Sequence, residues 1–183
     1  MRKKFTVALM ALFAACLLVL SGCGGPSVEE LIREDLTTQF DEVKNGEEDF
    51  LEGLEEGAGD SFDQLGVDAS AFAQAYLDGF DYSIDEIVVE DTTATATVTL
   101  KVKSMGDIVN EFNLQFADYM STVDLSTITE DDLYAAAGQM MLDITNAAEL
   151  KDVTCNFTYS QDDEGEWSAD ESAETELTNA LMS

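Results

Sequence analysis

The 183-residue sequence predicts an α+β domain. Two antiparallel β-hairpins form a curved sheet, helices pack on it, and an αα-hairpin is inserted between the two β-hairpins. Two observations lead to this fold class. Apolar and polar residues alternate along 93–103 and 153–159, as in strands that bury one face. Elsewhere, apolar residues recur every three or four positions, including in the segment 107–148 between the hairpins, and this is the spacing of one helix face.

Three helices are predicted ahead of the sheet. Ser27-Val28-Glu29-Glu30 matches a capping box, and Asn45-Gly46 supplies a left-handed stop for the helix that follows it. A second, very acidic helix is expected from Glu47 to about Glu56. Asp68 is a good N-cap for the third helix, which ends at Gly79.

The first β-hairpin has the clearest strand pattern. Its second strand alternates small and apolar residues with threonines and with Lys101 and Lys103, so both lysines are expected on the solvent face. We place its turn at Glu90-Asp91-Thr92 and a bulge at Asp85-Glu86, where the parity of the apolar residues changes. The residues predicted to face the core are Ala94, Ala96, Val98, Leu100 and Val102.

The remaining elements follow from the same periods. Two helices are predicted between Asp107 and Ala148, the second opening at Thr129 in capping-box style. The second β-hairpin turns at Asp162-Asp163-Glu164-Gly165. A short helix through Leu177 and Leu181 follows it. With neither repeats nor an internal linker, residues 27–183 are interpreted as a single acidic domain.

The N-terminus predicts export. A basic start (Met1–Lys4) and an apolar run (Phe5–Leu20) have the composition of a secretory signal. The next residues complete a tetrapeptide that resembles a bacterial lipobox, Leu20-Ser21-Gly22-Cys23. The resemblance implies that a lipoprotein signal peptidase recognises Leu20, Ser21 and Gly22 and removes residues 1–22. The Cys23 thiol then carries diacylglycerol, and residues 23–26 form the lipidated cysteine and a short tether.

Two alternatives to the lipobox were weighed. The apolar run of 16 residues is short for a transmembrane helix, which needs about 20. A plain signal peptide is expected to end in an Ala-x-Ala-like site, which Leu-Ser-Gly does not match. The predicted location is therefore the extracytoplasmic face of the cell membrane, with the domain anchored by lipid.

Charge limits the partners of the mature chain. Its 161 residues would keep all 39 acidic residues and five of the eight basic ones, for a net charge of about −34. Nucleic acid is excluded as a partner, because no basic patch can neutralise its phosphates. The expected partners, besides the membrane reached through the Cys23 lipid, are cationic proteins or peptides and weakly bound divalent cations. Halophilic adaptation and a mildly acid-rich proteome both account for the acidity.

Few catalytic residue types are present. The sequence has no histidine, which removes the commonest general base and nearly all zinc geometries. Cys155 alternates with apolar residues on the expected core face, where a thiol is inert. A pair of carboxylates could still act as in glycosidases. Acidic residues cluster at 41–63 and 162–166 without the spacing of a calcium loop, so no dedicated metal site or cofactor is expected.

One aromatic set could line a cavity between the third helix and the sheet. Core packing is the favoured interpretation, although buried Tyr and Trp need polar partners and so raise the odds of a small polar pocket. The set comprises Phe72, Tyr76, Phe80, Tyr82, Phe157, Tyr159 and Trp167.

The chain resembles small uncharacterised lipoproteins of Gram-positive bacteria whose domain is NTF2-like or cystatin-like. The resemblance rests on the order of elements, the Phe80-Asp81-Tyr82 entry into the first hairpin, the Thr93–Thr99 strand, the Met-bearing helical insert and the Leu177–Leu181 ending after Trp167. In NTF2-like domains, the cone between helices and sheet serves as an active site or a ligand pocket, or is filled.

Three functions were considered from these features. The expected one is a non-catalytic, membrane-anchored binding or accessory module. The first alternative is an enzyme that uses carboxylates or Tyr in an NTF2-like cavity. The second is an assembly component that docks through the Met120–Met141 part of the insert, which would then carry an exposed apolar patch.

Overall fold

The computed structural model describes residues 18–19, 26–46, 66–124 and 127–183, and these residues form a mixed α+β fold. The helices and hairpins follow one another in the predicted order. The acidic helix predicted at 47–56 lies outside the described residues. The elements are β1 (Leu18–Val19), α1 (Val28–Asn45), α2 (Ala69–Leu77), β2 (Asp81–Glu90), β3 (Thr93–Lys103), α3 (Met105–Thr122), α4 (Glu130–Ala147), β4 (Leu150–Gln161), β5 (Glu166–Ala169) and α5 (Ser172–Met182).

The strands form one antiparallel sheet in the order β1-β5-β4-β3-β2, so the two hairpins join through β3 and β4. The predicted bulge is confirmed, because the pairing of β2 with β3 shifts register between Ile84 and Glu86. The predicted turn is confirmed as well. Asp91 adopts a left-handed backbone with φ of 52°, a conformation that Asp tolerates better than most residues.

Strand β1 was not predicted, since its two residues belong to the apolar run assigned to the signal peptide. Leu18 pairs with Trp167 and Val19 with Glu166, which extends the sheet beyond β5 by two residues. Such a short segment shows no alternation that could identify it as a strand. Removal of residues 1–22 would leave a four-stranded sheet with β5 at its edge.

One face of the sheet carries the core. The five predicted core residues of β3 are at most 2% exposed, which confirms the predicted parity of that strand. They pack with Phe157 and Tyr159 of β4 under α1 and α5. The opposite face bears Thr95, Thr97 and other polar residues, which are half-buried or exposed.

The prediction that Lys103, at the end of β3, faces solvent is wrong. Its parity places it with the solvent-facing residues of that strand, but the side chain is buried, with 3% exposure. Helices α2 and α4 cover this end of the sheet, and Lys103 Nζ donates to the carbonyl oxygens of Ala75 (2.6 Å) and Thr145 (3.1 Å). Both carbonyls lie in the last turn of a helix, where a cation interacts favourably with the helix dipole.

The helix boundaries follow the predicted caps. The Ser27 hydroxyl accepts from Glu30 N, and the Glu30 carboxylate accepts from Ser27 N at 2.8 Å, so the capping box is present. Gly46 ends α1 with φ of 59°. Asp68 and Thr129 cap α2 and α4 through their side chains.

Helix α1 runs antiparallel to β2. Arg33, near its start, donates to the carbonyl of Ile84, while Lys44, near its end, contacts Asp81 at 2.8 Å. Residue Ser27 therefore lies toward the β2–β3 turn. Helices α3 and α4, called here the helical hairpin, leave from Lys103 and return at Leu150, which pair with each other at the other end of the sheet.

Candidate functional site

Five of the seven aromatic residues considered as pocket lining meet in the core. Phe40 of α1 lies against three of them, with ring centroids 6.4 Å from Phe80, 5.1 Å from Tyr82 and 5.8 Å from Phe157. Phe40 and Phe157 are fully buried. The space between α1 and the sheet is thus occupied by rings in contact at this point. The two other members of this core group are Tyr159 and Trp167.

The remaining two residues, Phe72 and Tyr76, lie on α2 with their rings stacked 6.3 Å apart. The Tyr76 hydroxyl donates to the carbonyl oxygen of Leu181 at 3.1 Å, which ties α2 to the end of α5. Burial raises the pKa of Tyr76 well above its ordinary value. The structure therefore divides the predicted set between two neighbouring packing regions.

The hydroxyl of Tyr82 reaches the outer side of α1. It donates to Asp41 Oδ1 at 2.7 Å and lies 3.3 Å from the carbonyl oxygen of Thr37. Burial, with a further contribution from the Asp41 carboxylate, raises the pKa of Tyr82 to about 12. This phenol is thus protonated at neutral pH and serves as a hydrogen-bond donor that fixes α1 on β2.

A polar cluster lies within the core and was not found from the sequence. The carboxylate of Asp35, 6% exposed, accepts from Tyr159 Oη at 2.9 Å and from Gln39 Nε2 at 2.7 Å. Gln39 Oε1 and Trp167 Nε1 are buried and have no hydrogen-bond partner among the described residues. In the sequence, Asp35 and Gln39 have i, i+4 spacing beside the apolar stripe of α1. That spacing is equally typical of an exposed polar pair, so it does not indicate burial.

Cys155 faces the core between the sheet and α5, as predicted from its parity. Burial, with a smaller contribution from Glu176, raises the pKa of its thiol to about 11. The thiolate is the reactive form, and at neutral pH it is almost absent here. The site therefore offers no nucleophile at Cys155.

Three of the six large apolar side chains that are exposed in the described residues lie on the helical hairpin. Along α3, Ile108 alone is buried, whereas Leu114 is 68% exposed and Val109 40%. Tyr134 of α4 is 39% exposed. Large apolar side chains at such exposure on neighbouring helices are typical of surfaces that bind other molecules.

Three aromatic side chains form a stacked row along α3, called here the aromatic row. The rings of Phe112 and Phe116 stack 5.4 Å apart, and those of Phe116 and Tyr119 lie 6.3 Å apart. The i, i+4 and i, i+3 spacing of these residues places them on one helix face. A shallow groove lies beside the row, lined by Leu114, Gln115, Asp118, Tyr119, Thr122 and Met140.

The segment that contains the helical hairpin is uniformly acidic. Residues 104–150 contain nine Asp and Glu residues and no Lys or Arg. Asp107 at the base of α3 pairs with Lys151 of β4 at 2.7 Å. The carboxylates farther out, including Asp118 in the groove and Asp131 and Asp132 at the start of α4, are exposed. The groove thus combines apolar side chains, Leu114 and Met140, with a negative charge from Asp118.

Leu114 stands between Asn113 and Gln115, on the side of α3 that the helical period assigns to solvent, so sequence reasoning did not select it as a site residue. A large apolar residue at a polar-face position was the available signal. The base of the helical hairpin is fixed by Lys103 and by Gly106, where a Cβ atom would lie 2.5 Å from the carbonyl oxygen of Met182.

Two features are absent from the described residues. Among them, no three acidic or cysteine side chains gather in a way that could hold a metal ion. Within the same ranges, no helix has both the length and the apolar character required to cross a bilayer. The lipobox residues Leu20, Ser21, Gly22 and Cys23 lie outside the described residues, so their role stays a prediction.

Comparison with known proteins gives one kind of result, a structural likeness. No family model matches the sequence, and no curated protein is similar to it. The chain is similar to the crystal structure of a candidate lipoprotein (ycdA) of Bacillus subtilis subsp. subtilis str. 168, with 14% identity and a TM-score of 0.46. The match covers 98% of this chain and 57% of the length of that protein. We draw nothing from a likeness at this level.

Proposed function

We propose that the protein is a lipid-anchored, extracytoplasmic binding module for cationic partners, and that it is not an enzyme. The observation that carries the proposal is the segment 104–150, which contains the helical hairpin. It has nine carboxylates and no basic residue, and its helices carry exposed apolar side chains. The anchor is the lipid on Cys23, argued from the resemblance of residues 20–23 to a lipobox. Basic proteins or peptides are the proposed partners, and divalent cations are weak competitors for the same carboxylates.

The geometry of the fold supports this use. Ser27 follows the proposed anchor by only four residues, a reach of about 14 Å for extended chain. It lies toward the β2–β3 turn, while the helical hairpin starts from the opposite end of the sheet. Strand β3 separates the two ends by roughly 30 Å, at about 3.3 Å per residue. An anchored domain would therefore hold the base of the helical hairpin away from the lipid surface.

The non-catalytic assignment is supported by the placement of the reactive groups. The Cys155 thiol is buried and protonated. The Asp35 carboxylate and the Tyr159 hydroxyl form one tyrosine–carboxylate pair, and both groups are enclosed in the core. The fold itself is proposed to be NTF2-like or cystatin-like, with a cone that is filled where Phe40 meets the sheet.

The test of binding uses the full chain, processed and lipidated in a bacterial host and reconstituted in vesicles of neutral lipid. Poly-lysine should bind at low salt and dissociate as salt screens the charges, while poly-glutamate should not bind. Calcium should weaken poly-lysine binding only at concentrations that also screen. Failure of poly-lysine to bind at low salt would reject the cationic-partner proposal.

The test of anchoring uses one substitution. Cys23→Ala should release the protein from the membrane fraction or leave it as an unprocessed precursor, and it should abolish incorporation of labelled lipid. A Cys155→Ala variant is the control and should incorporate lipid normally. A Cys23→Ala protein that still carried the lipid label would reject the assignment of Cys23.

A further inference from the structure

We infer that the groove on the helical hairpin binds a basic amphipathic helix, one that presents apolar residues on one face and Lys or Arg beside them. The inference rests on the proposed function and deepens it, because it names the surface and the shape of the cationic partner. The groove offers such a partner two features, exposed apolar side chains and charge of one sign.

The apolar component comes from the groove itself. Leu114, 68% exposed, and Met140 lie in its lining, and the ring of Tyr119 belongs to both the groove and the aromatic row. The two helices of 18 residues each are about 27 Å long at 1.5 Å per residue. A partner helix of similar length would place apolar residues at i, i+3, i+4 and i+7 against such a groove, the usual mode of helix recognition.

The charge component selects the partner. Asp118 lies in the groove, and Asp131 and Asp132 lie at the start of α4, in a segment without a single basic residue. A second copy of the chain would bring the same carboxylates together, with about −34 on each mature molecule. An anionic lipid surface is repelled for the same reason. A cationic helix satisfies both components, because its lysines would meet the carboxylates while its apolar face covers the groove.

The experiment compares three peptides with the lipidated full chain in neutral vesicles at physiological salt. The first is an amphipathic Lys/Leu helix of about 18 residues, the second a scrambled peptide of the same composition, and the third poly-lysine of equal charge. We expect the amphipathic helix to bind at least tenfold more tightly than either of the others, and we expect its helicity to rise on binding.

Variants locate the site. The double substitution Leu114→Asn with Met140→Gln should weaken binding of the amphipathic helix by about tenfold, the effect of losing two buried apolar anchors. The matched control is Val88→Asn with Met182→Gln, which replaces apolar side chains 45% and 52% exposed elsewhere on the surface and should leave binding unchanged. Asp118→Asn should weaken binding about threefold, and Asp163→Asn in the β4–β5 turn should not.

The outcomes separate this inference from the proposed function. Equal binding of all three peptides, or equal loss in groove and control variants, overturns the groove while leaving a cationic-partner module in place. Absence of binding by every peptide at low salt rejects both. Concentration-dependent dimerisation that Leu114→Asn with Met140→Gln abolishes, or tighter binding to anionic than to neutral vesicles, would assign the groove to a second copy or to lipid and overturn the inference.

Discussion

Helices α1 and α3 each have 18 residues and an apolar stripe at helical spacing, yet they end in opposite environments. Helix α1 buries six residues, among them Ile32, Leu36 and Phe40 with no exposed surface. Helix α3 buries Ile108 alone and leaves the aromatic row half-buried. The difference lies in what covers each helix: α1 lies across the sheet, whereas α3 packs mainly on α4.

The comparison teaches that a helical stripe predicts a helix with an apolar face but does not state what that face contacts. For α1 the partner is the buried face of β2 and β3, and the stripe contributes to the folding core. For α3 the main partner within the described chain is α4, with a smaller contact to α5, and the aromatic row stays half-buried. Surface that folding leaves uncovered in this way is available for binding.

The largest expected effect is a loss of stability on truncating Phe40 of α1, compared with Phe116 of α3. Phe40→Ala should lower the free energy of unfolding by about 3–5 kcal/mol, because it removes a fully buried ring that contacts three others. The matched variant Phe116→Ala, on the half-buried row of α3, should cost about 1 kcal/mol. Urea denaturation followed by circular dichroism measures both. Equal losses would mean that the helical hairpin belongs to the same core as α1.

What the sequence could predict also depends on whether a feature is determined by neighbouring residues or by distant ones. Features that depend on residues close together in the sequence were predicted correctly. They are the Ser27 capping box, the Gly46 stop, the parity of β3 and the bulge after Ile84. Local hydrogen bonds and a period of two determine each of these features. Strand β1 could not be predicted, since its two residues depend on the edge of β5, which is distant in the sequence.

The next effect tests the junction between the two regions. Lys103→Met should lower the free energy of unfolding by about 2 kcal/mol, because the Ala75 carbonyl loses its lysine partner and Thr145 loses one of its contacts. Part of that loss is offset, since the methionine carries no charge to desolvate. The control is Lys101→Met two residues earlier on the same strand, where the side chain is exposed and the change should be within about 0.5 kcal/mol.

Lys103 also shows why the candidate sites were harder to predict than the fold. Its position in an alternating strand indicated solvent, and only the arrival of α2 and α4 at that end of the sheet buries it. Asp35 and Gln39 followed the same rule in α1, where a polar pair beside an apolar stripe became part of the core. Tertiary packing decided all three, and no local pattern encodes it.

A smaller effect tests the polar cluster inside the core. Tyr159→Phe should lower the free energy of unfolding by about 1–2 kcal/mol, because the buried Asp35 carboxylate loses the hydroxyl that donates to Oδ2 at 2.9 Å. Tyr134→Phe on the exposed side of the helical hairpin is the matched control and should be nearly neutral. If Tyr159→Phe left the free energy of unfolding unchanged, another donor would have to reach Asp35. Denaturation of the two variants side by side gives the answer.

The smallest effect concerns pH and Cys155. Burial raises the pKa of this thiol to about 11, above its ordinary value near 9, so between these two values the unfolded chain loses the proton before the folded chain does. The folded state then binds more protons, and its stability must fall as pH rises through this window. The contribution is complete below pH 9. Partial solvent screening should keep the loss under about 1 kcal/mol at pH 10.

To measure that loss, the change in unfolding free energy between two pH values is compared for wild type and Cys155→Ala. Wild type and Cys155→Ala are denatured at pH 8 and at pH 10, so that the tyrosines and lysines, which titrate in both proteins, cancel. Wild type should lose the larger amount between the two pH values. A thiol reagent should also modify Cys155 at least a hundredfold more slowly in native than in urea-unfolded protein. If the reagent reacted equally fast with both, the β4 face that carries Cys155 would be open to solvent, and the core would be as exposed as the helical hairpin.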